Sequence, residues 1–190
     1  VFWDEGRSAL EQFSRLARTP STGAPSPFNY HIHPDPDHLL RVGIALGFRR
    51  ARLQHAYSVL RGKDLATGEF SEERRDQQFQ TLRAAQEYAL DLQHWHDFHK
   101  ALVRAGYRHK SMITSTVSAL YTYAFFLIGK RDYGVEAYTL RNVIARWHFM
   151  VALTGRYTGS LESAVEEDLA RLREVTSAEG FVGLLDGLIQ

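Results

Sequence analysis

Apolar residues recur every three to four positions over most of this chain, the spacing of amphipathic helices. Phe2, Leu10, Phe13 and Leu16 predict a first helix over Phe2–Arg18. The period stops at Thr19. From there to Pro36 lie all five prolines, among Ser, Thr and Gly, which predicts a stiff loop with an alternating apolar edge at Phe28, Tyr30 and Ile32. Asp37 then reads as an N-cap for a helix from His38 to Arg61, ending at Gly62, with Leu39, Val42, Leu46, Leu53, Tyr57 and Leu60 on one stripe. Gly43 and Gly47, one turn apart, leave room for a close neighbour. Behind a cap at Ser71, Phe79, Leu82, Ala85, Ala89, Leu92, Trp95, Phe98 and Leu102 keep helical period to Gly106 without a breaker. That predicts one central helix of about 50 Å, at 1.5 Å per residue.

Ser111 to Gly129 carries no charge. Its length would permit a membrane span, but Ser111, Thr114, Ser115, Thr116, Ser118 and Thr122 are too many hydroxyls, so it reads as a helix buried in protein. Further helices are predicted over Val135 to Thr154, Leu161 to Val175 behind Ser160, and Phe181 to Ile189 after Ser177. No other stretch alternates with period two. The expected fold is all-α: an irregular bundle of roughly six or seven helices around one long central helix.

Composition narrows the function classes. The 190 residues carry a net charge of +1, are 44% hydrophobic and 24% charged, and fit a single helical domain with the Pro-rich loop 19–36 inside it. Such a balance excludes a uniformly basic nucleic-acid coat, though not a local basic patch. With no cysteine there is no disulfide, thiolate zinc site or cysteine nucleophile. A reducing cytoplasm is the expected location, and no signal peptide is visible. The chain opens on Val1 rather than Met, which suggests a piece of a larger multidomain protein.

Three groups of residues are candidates for chemistry. His31, His33 and Asp35, with Asp37 and His38 beside them, have the ligand types of a zinc or iron site, but the prolines between them favour a polar loop with a capping Asp. His94, His96 and His99 interleave with Trp95 and Phe98 and lack the zincin spacing, so they read as a packing face. Basic residues gather at Arg49, Arg50 and Arg52, at Arg104, Arg108 and Lys110, at Lys130 and Arg131, and at Arg141, Arg146 and Arg156. Of these, Arg49, Arg50, Arg52 and Arg146 are the candidates for phosphate-backbone contact, weighed against an ordinary solvated face. Glu166, Glu167 and Asp168 are neighbours on a helix and point in different directions, as helix electrostatics rather than a paired acid site. No G-x-S-x-G, P-loop or G-x-G-x-x-G occurs.

One segment carries a family resemblance. Ile144-Ala-Arg-Trp-His-Phe-Met-Val-Ala-Leu-Thr-Gly-Arg-Tyr-Thr-Gly-Ser160-Leu-Glu-Ser163, followed by Asp168-Leu169, resembles the helical region after the N-terminal nuclease domain in GmrSD-type restriction endonucleases. The shared pattern is a tryptophan-bearing helix, a G-R-Y-[ST]-x-S-x-E-S turn, and a helix with Asp-Leu. It falls here on Trp147, Gly155, Arg156, Tyr157, Ser160, Glu162, Ser163 and Asp168, with Leu161 where relatives often have proline. Pro27-Phe-Asn-Tyr, Gly47-Phe-Arg-Arg-Ala-Arg-Leu53 and Leu60-Arg-Gly-Lys-Asp-Leu65 extend the likeness over most of the chain.

The resemblance implies a parent with a ParB/sulfiredoxin-like domain ahead of this region, in many members an HNH nuclease domain behind it, and cleavage of foreign DNA with NTP and a divalent metal. The Asp-Gly-Gln-Gln-Arg-like catalytic signature is absent here, so no catalytic residue carries over, and no cofactor is expected in this chain. The physical reading of the turn has Gly155 ending one helix, Ser160 capping the next, Tyr157 packed beneath, and Arg156 either paired with Glu162 or Asp168 or reaching a phosphate. The expected role is a non-catalytic scaffold or connecting domain of a restriction protein in anti-phage defence. A DNA-backbone-binding module and a metal-dependent hydrolase built on His31, His33 and Asp35 stand as alternatives. The partners expected are neighbouring domains of the same chain, DNA, and a second copy, with no membrane.

Overall fold

The computed structural model describes residues 2–18, 32–63 and 67–190. Among them it has no strands, only an isolated bridge between Lys63 and Phe70. Its helices are α1 (Phe2–Arg18), α2 (Pro36–Phe48), α3 (Leu53–Leu60), α4 (Glu72–Ala89), α5 (Leu92–Arg104), α6 (Thr116–Arg131), α7 (Ala137–Thr154), α8 (Leu161–Arg171) and α9 (Ala178–Leu188). The all-α reading holds. Most of the Pro-rich loop, including His31, lies outside the described residues.

At the centre is α6, not the long helix expected over 71–106. Every residue from Ser118 to Gly129 is buried, so this helix is apolar all round because protein surrounds it all round. Ser115 starts it by accepting the Ser118 N–H at 3.2 Å. Around it, Trp95 meets Phe13 edge-on at 5.6 Å and Tyr123 at 5.1 Å, and Phe125 lies 5.4 Å from Trp147. The buried apolar residues form one main cluster running from Leu10 on α1 to Leu185 on α9. No helix among the described residues is long and apolar enough to cross a membrane.

Two of the expected long helices are broken. The 71–106 helix stops at Leu90, and Asp91 caps a new one by accepting the Gln93 N–H at 2.7 Å. The Ala89 carbonyl takes the Tyr123 hydroxyl at 2.7 Å instead. The 38–61 helix stops at Arg49, which sits in the left-handed region at φ 55°, and resumes at Leu53. There the Ala51 carbonyl accepts the Tyr121 hydroxyl at 2.9 Å. Apolar period continues across both breaks, which is why sequence spacing alone does not show them.

The close approach expected at Gly43 and Gly47 is made by α4. A Cβ on Gly43 would lie 3.1 Å from Gln86, and one on Gly47 3.3 Å from Ala85. The start of α2 lies two residues earlier than expected, with Pro36 in its first turn and Asp35, not Asp37, at the N-cap.

Candidate functional site

The G-R-Y turn joins α7 to α8. Gly155 ends α7 at φ 64°, the left-handed position that favours glycine, and its N–H reaches the Val151 carbonyl. That geometry throws Arg156 and Tyr157 back across α8. Asp168 is 1% exposed and is the point on which they converge. Its carboxylate accepts Arg156 Nε at 3.0 Å, the Arg156 Nη2 group through a second, shorter bond, and the Tyr157 hydroxyl at 2.8 Å. The third face of the guanidinium donates to the Leu188 carbonyl at 3.0 Å, and its carbon lies 5.7 Å from the centre of the Trp147 ring. One side chain therefore binds α7, α8 and the end of α9. Hydrogen bonding to Asp168 raises the Arg156 pKa, and burial, then Asp168, pushes the Tyr157 hydroxyl well above its ordinary range.

Of the two partners weighed for Arg156, the structure chooses Asp168. Glu162 pairs instead with Arg41 of α2. Ser160 stands at the N-cap of α8 without capping through its side chain; its hydroxyl meets Ser163 Oγ at 2.8 Å. Ser163 Oγ in turn accepts Arg52 Nη2 at 3.1 Å. The motif residues thus come together, but around two centres: Arg156 and Asp168 inside the turn, and the outer face of α8 against the α2–α3 joint.

The second centre is built on Glu166, which sequence reading took only for helix electrostatics. Its carboxylate accepts Arg50 Nη1 at 2.8 Å, the Ala51 N–H at 2.6 Å and the Arg52 N–H at 3.3 Å, and lies 3.0 Å from His55 Nδ1. Burial alone would raise its pKa; the Ala51, Arg50, Arg52 and His55 hydrogen bonds outweigh that and hold it low. It satisfies the amides left open where α3 begins.

Each arginine singled out for DNA is engaged by its own chain. Arg49 pairs with Asp132 and donates to the Leu46 carbonyl at 2.6 Å. Arg50 and Arg52 face α8 as described. Arg146 forks onto Asp186 at 2.7 and 2.8 Å, joining α7 to α9.

Of the metal candidates His31, His33 and Asp35, the first lies outside the described residues. His33 Nδ1 lies 3.4 Å from Lys110 Nζ, and Asp35 is grouped with Asp37 and His38, with one ligand atom of each within 4.8 Å. His38 Nδ1 accepts the Asp35 N–H at 3.3 Å, so its Nδ1 lone pair is already in use. On α5, His94 and His99 turn Nδ1 to the Tyr88 and Trp95 carbonyls at 3.0 and 2.9 Å, as the packing reading expected.

One residue escaped the sequence reading. His148 stands beside Trp147 in the family segment, is 4% exposed, and forms a wall of a cavity of about 70 Å³ behind the turn, lined also by Tyr107, Ser118, Val151, Gly155 and Tyr157. Burial lowers its pKa to about 4. Its signal in sequence is only a histidine at a core position of an apolar helix.

Comparison with protein-family models, with curated proteins and with solved structures finds no match for this chain.

Proposed function

We propose that this chain is a helical scaffold that connects other domains of a GmrSD-like DNA restriction protein, acting in the cytoplasm in defence against foreign DNA and taking no part itself in strand cleavage. One observation carries the reading: Arg156, Glu162, Ser163, Glu166 and Asp168, in the turn and on α8, are committed to joining helices. Arg156 and Asp168 hold α7, α8 and α9 together, while Glu162, Ser163 and Glu166 fix the α2–α3 joint. A carboxylate that already accepts several bonds has little capacity left for a substrate or metal, and a multiply held guanidinium cannot swing to a phosphate. Rigid cross-ties between distant helices suit a spacer that sets the separation of its neighbours. The resemblance supplies the wider setting, with NTP and divalent metal acting on the parent's other domains.

The test is the coding sequence on both sides of these 190 residues. An Asp-Gly-Gln-Gln-Arg-like motif upstream supports the connecting role. A reading frame that opens immediately before Val1 overturns it.

A DNA-backbone role has one observation in its favour. Arg108 and Lys110, beyond the end of α5, are exposed, and no carboxylate pairs with either among the described residues. Titration with duplex DNA at two salt concentrations decides it. This second reading requires affinity that falls steeply with salt and drops when Arg108 and Lys110 are replaced by Glu; the scaffold reading requires neither.

A further inference from the structure

The side chain of Gln86, on α4, runs between two glycines. Its Cγ lies 3.1 Å from the point that a Cβ on Gly43 of α2 would occupy, and its Oε1 lies 3.5 Å from the same point on Gly6 of α1. The aliphatic stem is thus held against α2, and the carboxamide lies beside α1. Gln86 is 9% exposed, yet its carboxamide has no hydrogen-bond partner among the described residues. Unlike the ring nitrogens of Trp95 and Trp147, which are unpartnered and sealed from solvent, the carboxamide keeps accessible surface.

That surface borders space between the helices. Gly6 and Gln86 together line a cavity of about 220 Å³ between α1, α2 and α4, and a smaller one of about 120 Å³ between α1 and α4. The two cavities share these two residues, so the carboxamide stands where they adjoin. Leu10, Leu40, Leu82 and Pro36 make the wall of the larger one apolar. Its volume exceeds that of the apolar cavity of about 150 Å³ that admits benzene, so it has room for one substituted ring.

The polar groups select the ligand's chemistry. A carboxamide presents one acceptor and one N–H donor side by side, the pattern that pairs through two hydrogen bonds with another amide edge. It offers an ion no counter-charge. The charged residues of the larger cavity, Arg7 and Asp37, have opposite signs, and their side chains are 74% and 69% exposed. Arg7 is also held by Glu11 at 2.9 Å. An ionised ligand would give up its water against leucines with nothing in exchange, whereas a neutral amide recovers its hydrogen bonds from Gln86.

We propose that the larger cavity binds a small neutral aromatic amide, its ring against Leu10, Leu40 and Leu82 and its amide paired with the Gln86 carboxamide. The site is independent of the scaffold reading, since it uses none of the groups that tie the helices there.

The test uses the whole chain labelled with ¹⁵N at its glutamine side chains. Benzamide is the probe, and benzoate, the same ring bearing a carboxylate, is the comparison. Benzamide is expected to move the Gln86 side-chain N–H signals along a saturating curve while the other glutamines stay still, and benzoate to leave them in place over the same concentrations. Gln86→Met keeps the length of the side chain and removes the amide; followed on the probe's own ring signals, it should weaken benzamide by about tenfold. Gly6→Leu puts an apolar side chain into the space beside the carboxamide and should abolish binding. No saturating shift with benzamide, equal affinity for benzoate, or a benzamide affinity unchanged by either variant would each overturn the proposal.

Discussion

The Tyr123 hydroxyl donates to the Ala89 carbonyl at 2.7 Å, across the point where α4 gives way to α5. In an unbroken helix that carbonyl would take the Gln93 N–H, but Gln93 is held by Asp91. Tyr123 is fully buried, and burial pushes its hydroxyl pKa well above 10, so it stays a donor at any pH the fold tolerates. Replacing it with Phe keeps the ring and strands the carbonyl. Tyr123→Phe should cost about 1–3 kcal/mol, read as a fall in Tm of about 2–4 °C per kcal/mol for a chain this size. An unchanged Tm would mean that water or another donor serves Ala89.

Arg156 and Asp168 should not respond alike to mutation. The arginine side chain is 26% exposed and the aspartate 1%. Arg156→Ala leaves a buried carboxylate with only Tyr157 to hold it, and should cost about 3–5 kcal/mol. Asp168→Asn leaves a guanidinium that water can reach and keeps an oxygen for Tyr157, so its cost should be clearly smaller. Urea denaturation of both variants measures the difference; equal losses would mean that the pair does not carry the asymmetry its burial indicates.

His148 sets a pH dependence. Its imidazole titrates at about 4 in the folded protein against 6.5 when unfolded, because burial disfavours the cation. Between those values the unfolded chain binds more protons, so stability rises with pH there. Stability should be level above pH 6.5 with respect to this group, fall as pH drops below it, and have lost roughly 3 kcal/mol near pH 4. His148→Gln should flatten that limb relative to wild type when both are unfolded by urea at pH 7 and pH 4.5. A limb of unchanged steepness would assign it to other groups.

Two glycines should respond to alanine with opposite signs. A Cβ on Gly129 would lie 2.7 Å from Phe181 and 2.8 Å from Leu140, both rigidly packed where α9 and α7 cross α6. Gly129→Ala should cost about 1–3 kcal/mol. Gly183, in the middle of α9, has nothing within 4 Å of a Cβ, so alanine there should stabilise by about 0.5–1 kcal/mol through helix propensity. Thermal melts of the two variants give the comparison directly.

Local chemistry made much of this fold legible. The caps at Ser71 and Ser177, the left-handed Gly155, the buried helix at α6 and the tight contact at Gly43 and Gly47 all follow from residue type and spacing. The breaks at 49–52 and 90–91 do not. Their carbonyls are satisfied by tyrosines 70 and 34 residues further along the chain, and no window of sequence contains both partners. The candidate site divides in the same way. Arg156 and Asp168 are 12 apart and could be paired on paper. Arg50 and Arg52 look like an open basic patch until α8 arrives with Glu166 and Ser163, more than a hundred positions away. His148 stayed hidden because its importance lies in the depth of its burial, and no residue pattern announces that.

The long reach of Glu166 has a consequence for biosynthesis. Arg50 leaves the ribosome 116 residues before the carboxylate that will fix its joint. At typical elongation rates that is an interval of roughly six to twenty seconds. Throughout it the Ala51 and Arg52 amides lack Glu166, and the Ala51 carbonyl gains Tyr121 only partway through. The nascent chain can form its individual helices early, but the angle between α2 and α3 is settled only once α8 has been made.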